Sequence, residues 1–202
     1  MVPILHKSRY FAWASDIDCP PAKTCLRFAM WTLTTATSAH FSTLGDALYA
    51  TTRRLLETQD MPDEAGLPWR TNAGTCAVEL EFIQAWLLLV HFEFLRKPKY
   101  QAVLTYQRAF WILQLSNLFQ IDASEGGPPI KSADLTSSPS NHRRELNADD
   151  WITTEGKRRT LWVAFIFDKL ASMLKGRHVL LHEETVGLQP SPAPYSHVLF
   201  DI

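Results

Sequence analysis

Apolar residues recur at helical steps along most of the chain, and strand-like alternation bounded by Asn-Gly or Asp-Gly turns is almost absent. Between Leu26 and Thr58, Leu26, Met30, Leu33, Phe41, Leu44, Leu48, Leu55 and Leu56 fall mostly three, four or seven residues apart. This predicts two helices with a break near Ser38 to Ser42, started by the Pro20-Pro21 pair. The stretch from Asp60 to Thr75 holds Pro62, Gly66, Pro68 and Gly74 and reads as a connector. Val78 to Leu95 forms the next helix, closed by Pro98, which disfavours helical geometry at Lys97.

Tyr100 to Phe119 follows, with Val103, Tyr106, Phe110, Leu113 and Asn117 on one line and Leu104, Trp111, Leu115 and Leu118 beside it. So wide an apolar arc asks for neighbours on several sides. Ala123 to Asn147 lacks aromatic residues and is rich in Gly, Pro and Ser; it cannot bury enough to offset its ordering entropy and is expected to be a mobile loop. Asp149 or Asp150 can cap a last helix running through Trp151, Leu161, Trp162, Phe165 and Leu170 to Leu174, with Gly176 as its left-handed end. Arg177 to Ile202, with Pro190, Pro192 and Pro194, reads as extended or irregular. The fold class is all-α: an irregular bundle of five to seven helices with a mobile loop at 123–147 and an extended C-terminal tail. No repeat of 20 to 50 residues is visible.

Length changes little in this picture: 202 residues, 46% hydrophobic, suit one domain able to bury a sizeable core. Charge excludes more. Twenty Lys+Arg against 21 Asp+Glu leave a net charge of -1, so no global positive field exists to hold phosphate backbones. Three cysteines, Cys19, Cys25 and Cys76, form an odd, sparse set and argue for reduced thiols over a disulfide framework. Only four apolar residues precede His6, too few for a signal-peptide core. Phe82 to Phe92 is the most apolar stretch, eleven residues without a formal charge, and too short to cross a bilayer.

Candidate chemistry is thin. His178 and His182 lie four apart, as helical zinc ligands do, but follow a helix-ending Gly and lack a third ligand. Cys19 and Cys25 match no zinc knuckle and read as inert small residues. There is no Gly-x-Ser-x-Gly elbow and no phosphate-cradling Gly-x4-Gly-Lys loop. Glu79 and Glu81 sit on different faces and suit a helix start. Lys157-Arg158-Arg159, supported by Arg143 and Arg144, is either a solvated face or an acidic-partner or nuclear-import patch. His91 reads as a hydrogen-bonded core or boundary histidine. Trp86, Trp111 and Trp162 read as core, which would make Trp162→Ala cost about 3 to 5 kcal/mol. The alternative is that they line a ligand pocket.

The segment Glu155 to Arg177, EGKRRTLWVAFIFDKLASMLKGR, resembles the signature helix in the middle homology region of fungal zinc-cluster transcription factors. Glu155, Arg158, Arg159, Trp162, Asp168, Gly176 and Arg177 carry the match. Segments at 5–10, 26–31, 48–57 and 78–122 agree with the same family, so the resemblance covers residues 1–190 as one regulatory domain, with 191–202 as a tail. Family members carry a separate module in which six cysteines hold two zinc ions; three cysteines at other spacings cannot form it. Here the family's Gly-Arg-Pro ends as Gly176-Arg177-His178.

What the resemblance implies is a nuclear transcription regulator of a metabolic or secondary-metabolite pathway, without a catalytic site, cofactor or metal of its own. It would act through protein partners or homologous transcription factor subunits, or by sensing a small hydrophobic effector. DNA would be reached only indirectly or through a module outside this sequence. A helical enzyme would instead require His91, Glu93 or Asp168 to converge in a pocket; Asp168 and the nearby arginines read as a structural charge network.

Overall fold

The computed structural model describes residues 7–16, 18–60, 78–120, 148–176 and 179–181. Six α-helices carry the described chain: α1 (Lys7–Ala14), α2 (Pro21–Thr37), α3 (Ser42–Asp60), α4 (Leu80–Arg96), α5 (Lys99–Leu115) and α6 (Ala148–Lys175). Short 3-10 turns follow α2, at Ala39–Phe41, and α5, at Asn117–Gln120. The expected break falls between α2 and α3, and Pro21 opens α2 at a position where its missing N–H costs nothing. The last helix begins at Ala148, so Asp149 and Asp150 lie in its first turn and do not precede it as caps. The expected loop at 123–147 and the tail at 191–202 lie outside the described residues.

α4 is the axis of the fold. Its apolar run leaves no polar face, and Phe82 through Val90, Phe92 and Phe94 are all buried. A helix apolar all round must be enclosed, and α2, α3, α5 and α6 all pack against it. α2 meets α3 across Gly45, where a Cβ would come within 2.9 Å of the Thr35 hydroxyl. That hydroxyl is already bonded to the Thr32 carbonyl at 2.6 Å, so the close approach requires glycine. Deeper in the same seam the Thr32 and Thr52 hydroxyls meet at 2.8 Å, both fully buried.

α5 is joined to α4 by Lys97 and Pro98 alone and folds back along it. Val103, Tyr106, Phe110 and Leu113 form its buried line, whereas Leu104 and Trp111 are exposed. The apolar arc of α5 is therefore narrower in burial than in sequence. α6 rides along α4 in constant register: Gly156 sits against Leu80, Gln84 bonds Thr160, and His91 faces Phe167. Each pair is separated by 76 residues, so the two helices run in the same direction.

A buried polar knot ties α3, α4 and α5 together. The Glu93 carboxylate, fully buried, accepts from the Tyr49 hydroxyl at 2.6 Å and from Arg53 Nη1 at 3.1 Å. Gln101 Nε2 donates to the Tyr49 oxygen at 2.6 Å, and Arg53 Nε pairs with Glu57 at 2.8 Å. Burial pushes Glu93 above its ordinary value of 4.5, against the opposing pull of Tyr49, Thr105, Arg53 and Lys97. In the window just above 4.5 the native state therefore holds this proton more tightly than the unfolded chain, and stability drawn from it falls as pH rises. Glu93→Gln has no such titration. The stability of the wild type minus that of Glu93→Gln, from urea unfolding, is expected to fall from about pH 4.5 to about pH 7; a rising difference would show that the ion pair outweighs burial.

Candidate functional site

The residues that carried the family resemblance do two kinds of work on α6. Some are hooks. Glu155 Oε1 accepts from Arg159 Nε at 2.7 Å one turn on, and Thr160, next to Arg159, meets Gln84 at 3.0 Å inside the α4 contact. Asp168, 2% exposed, accepts the backbone N–H groups of Leu180 and Leu181 at 2.8 and 2.7 Å. This turns the chain back after Gly176, whose φ of +60° is the left-handed end that the sequence predicts. The returning Leu181 is buried at 2%. Asp168 is thus an acceptor for backbone amides and not part of a charge network with Arg158 and Arg159, which lie about 15 Å away along the helix.

Trp162 does the second kind of work, and it corrects the reading of the tryptophans. Trp86 is buried at 1%, but Trp162 is 43% exposed and Trp111 48% exposed. Trp162, Ile166, Leu170 and Leu174 repeat every fourth residue along α6, and all four are exposed. They border a groove of about 790 Å³ between α6 and the end of α4. Its floor is the stacked pair Phe94 and Phe167, 5.7 Å apart, beside His91 and Leu95. Among the described residues, Lys99 and Arg159 are the charged groups of its lining, and none of its lining residues carries a carboxylate. Lys99 Nζ donates to the Phe94 carbonyl at the end of α4.

His91 was expected to be hydrogen-bonded. Its Nδ1 is buried without a partner, and the ring packs 5.8 Å from Phe167; burial pushes its pKa down, so it is neutral at physiological pH. The three titratable groups that an enzyme would need do not converge. Glu93 turns toward α3, His91 toward α6, and Asp168 toward the returning chain.

The other candidates sort simply. Cys25 is 1% exposed and burial pushes its thiol up to about 11, which makes it inert. Cys19 lies 3.1 Å from Arg27 Nη2 and 3.3 Å from the Trp13 and Asp16 carbonyls. Placed in this way, the two thiols do not fit a zinc cluster. Glu79 and Glu81 occupy the start of α4, as their charge favours. Lys157, Arg158 and Arg159 are all half-buried. Cys76, Arg143, Arg144, Arg177, His178 and His182 lie outside the described residues. No described helix is long and apolar enough to cross a membrane.

A sequence model described as fungal specific transcription factor domain matches residues 2–194, taking in α6 and its hooks together with every other described element. The chain belongs to that family. It is 48% identical over 197 residues to sorbicillinoid biosynthetic cluster transcription factor 1 of Penicillium rubens, covering 95% of this chain and 32% of the relative. It is 42% identical over 201 residues to the sorbicillinoid biosynthetic cluster transcription factor sor4 of Hypocrea jecorina, covering 91% and 29%. The asperfuranone cluster transcription factor afoA of Emericella nidulans is 40% identical over 189 residues, covering 91% and 26%. The chain spans about a third or less of the length of these curated relatives. No solved structure matches it.

Proposed function

We propose that this chain is a regulatory segment of a nuclear, pathway-specific transcription regulator serving a secondary-metabolite gene cluster. It carries no chemistry of its own and works by contact. One observation supports this reading above the others: the family's signature helix is fastened to the core by polar hooks and still presents an apolar groove to its surroundings. A soluble domain rarely exposes an apolar patch of this kind without using it. Direct DNA reading lacks support in the near-neutral charge and in the placement of Cys19 and Cys25, so contact with DNA is assigned to another module or partner. Catalysis lacks support in the divergence of His91, Glu93 and Asp168, and no cofactor or metal role is assigned.

A mobility-shift titration of the purified chain on promoter-length DNA at about 150 mM salt, with and without zinc, tests the reading. No shift in either condition is expected. A zinc-dependent, sequence-selective shift would overturn it and return attention to Cys19, Cys25, His178 and His182.

A further inference from the structure

We propose that the groove between α4 and α6 receives an amphipathic helix whose apolar stripe is flanked by acidic residues. The inference rests on the contact-based reading above and names the chemistry of the contact. Length argues first. The α6 residues of the lining run from Arg159 to Leu174, about 22 Å along the helix axis. About four turns of helix match that length. The surface is of the right kind as well. Trp162, Ile166, Leu170 and Leu174 make one i±4 ridge, the row that packs into the groove of a crossing helix. Apolar anchors of the incoming helix would then settle on Phe94, Phe167 and Leu95 between α6 and α4.

Charge decides which helix. Arg159 lies at the N-terminal end of the lined stretch of α6, and Lys99, at the start of α5, follows the C-terminal end of α4. The parallel register of α4 and α6 places these two cations toward opposite ends of the groove. Glu155 offsets Arg159 in part, while Lys99 is engaged by a backbone carbonyl. With no carboxylate among the described lining residues, an incoming helix that complements these cations brings its own. The same arithmetic disfavours a second copy: two such faces would set Lys99 and Arg159 against Lys99 and Arg159. The described residues 179–181 do not fill the groove either, since Leu180 lies with Val103, Tyr106 and Asp168 on another side of α6.

The test uses a fluorescein-labelled peptide of about 16 residues, with Leu and Phe on one helical face and Glu on both flanks. A twin carries Lys at every Glu position. By fluorescence anisotropy the acidic peptide is expected to bind the chain at least about tenfold more tightly than the twin, and the gap to narrow as salt rises from about 50 to about 500 mM. Ile166→Glu is expected to weaken the acidic peptide at least about tenfold with an unchanged helical circular dichroism spectrum. Lys99→Gln, which leaves the apolar floor alone, should reduce the preference for acidic over basic peptide.

Equal binding of the two peptides, or of neither, would overturn the proposal. So would displacement of the peptide by micromolar 2-naphthoate, which would assign the groove to a small aromatic acid. Dimers in sedimentation that Ile166→Glu dissolves would assign it to a second copy. Peptide failure alongside an absent DNA shift overturns only this inference, while a DNA shift overturns the regulatory reading itself.

Discussion

Trp86→Ala is expected to lower unfolding free energy by about 3 to 5 kcal/mol, whereas Trp162→Ala is expected to cost about 1 kcal/mol or less. Both residues stand in apolar helical runs, and their surroundings separate them. Trp86 is 1% exposed on the central helix, edge-on to Phe82 at 6.4 Å, with the Arg108 guanidinium 5.8 Å from its ring. Truncation there leaves a cavity enclosed by elements that α4 itself holds in place. Trp162 is 43% exposed, and its ring meets that of Phe165 on its own helix, at 5.8 Å. The Trp86 indole N–H is buried without a partner, so Trp86→Phe forfeits no hydrogen bond and should recover most of the loss. Equilibrium urea unfolding of the three variants checks the ordering. A Trp162→Ala loss of 3 kcal/mol or more would mean that α6 is packed on the face described here as open.

Asp168→Ala carries the second large effect, about 2 to 4 kcal/mol, on the scale of two charge-assisted hydrogen bonds of which one donor, the Leu181 amide, is left buried. The carboxylate is 2% exposed and takes both Leu180 and Leu181 amides, and the Tyr106 hydroxyl, which donates to the Ala164 carbonyl at 3.2 Å, stands close by. Burial, with Asp168 adding to it, holds the Tyr106 phenol well above its usual range, so it stays a donor. Asp168→Asn keeps an acceptor oxygen but loses its charge, and should fall between wild type and Asp168→Ala. Amide exchange at Leu180 and Leu181 is the local readout, expected to accelerate in both variants before the core amides of α4 respond. Unchanged exchange at those two amides would show that the return segment is held by Leu181 burial alone.

Most of the fold was legible because its helices are bounded by local signals. Pro20-Pro21 and Pro98 act through their restricted backbone and Gly176 through its freedom to take a positive φ, and the resulting ends of α2, α4 and α6 fall where these place them. Burial was less legible, since it depends on which sides of a helix find neighbours. In α5 the line through Leu104 and Trp111 is as apolar as the line through Tyr106 and Phe110, yet the first is about half exposed and the second is buried, with Tyr106 bonded to Ala164 of α6. The groove beside Trp162 was legible only as the alternative to a core reading, because α6 between Leu161 and Leu174 is apolar on nearly every side, a pattern compatible with full enclosure. The stripe Trp162, Ile166, Leu170, Leu174 beside the stripe Thr160, Ala164, Phe167, Ala171 was the available signal, two apolar faces on one helix asking for two sets of partners. The role of Asp168 was not available from sequence at all, because its partners are backbone amides of a segment that passes Gly176 and returns.

Neighbouring substitutions on α6 test the division of that helix most directly. Ile166 is 57% exposed along the groove, and Phe167, 6% exposed, stacks on Phe94. Thermal unfolding of Ile166→Glu and Phe167→Glu, measured side by side, places the same charge one residue apart on the two faces. The expected result is a melting temperature within about 2 °C of wild type for Ile166→Glu, and loss of the cooperative transition or a drop of more than about 10 °C for Phe167→Glu. Comparable losses in both would contradict the account, because the face assigned to a partner would then be part of the core.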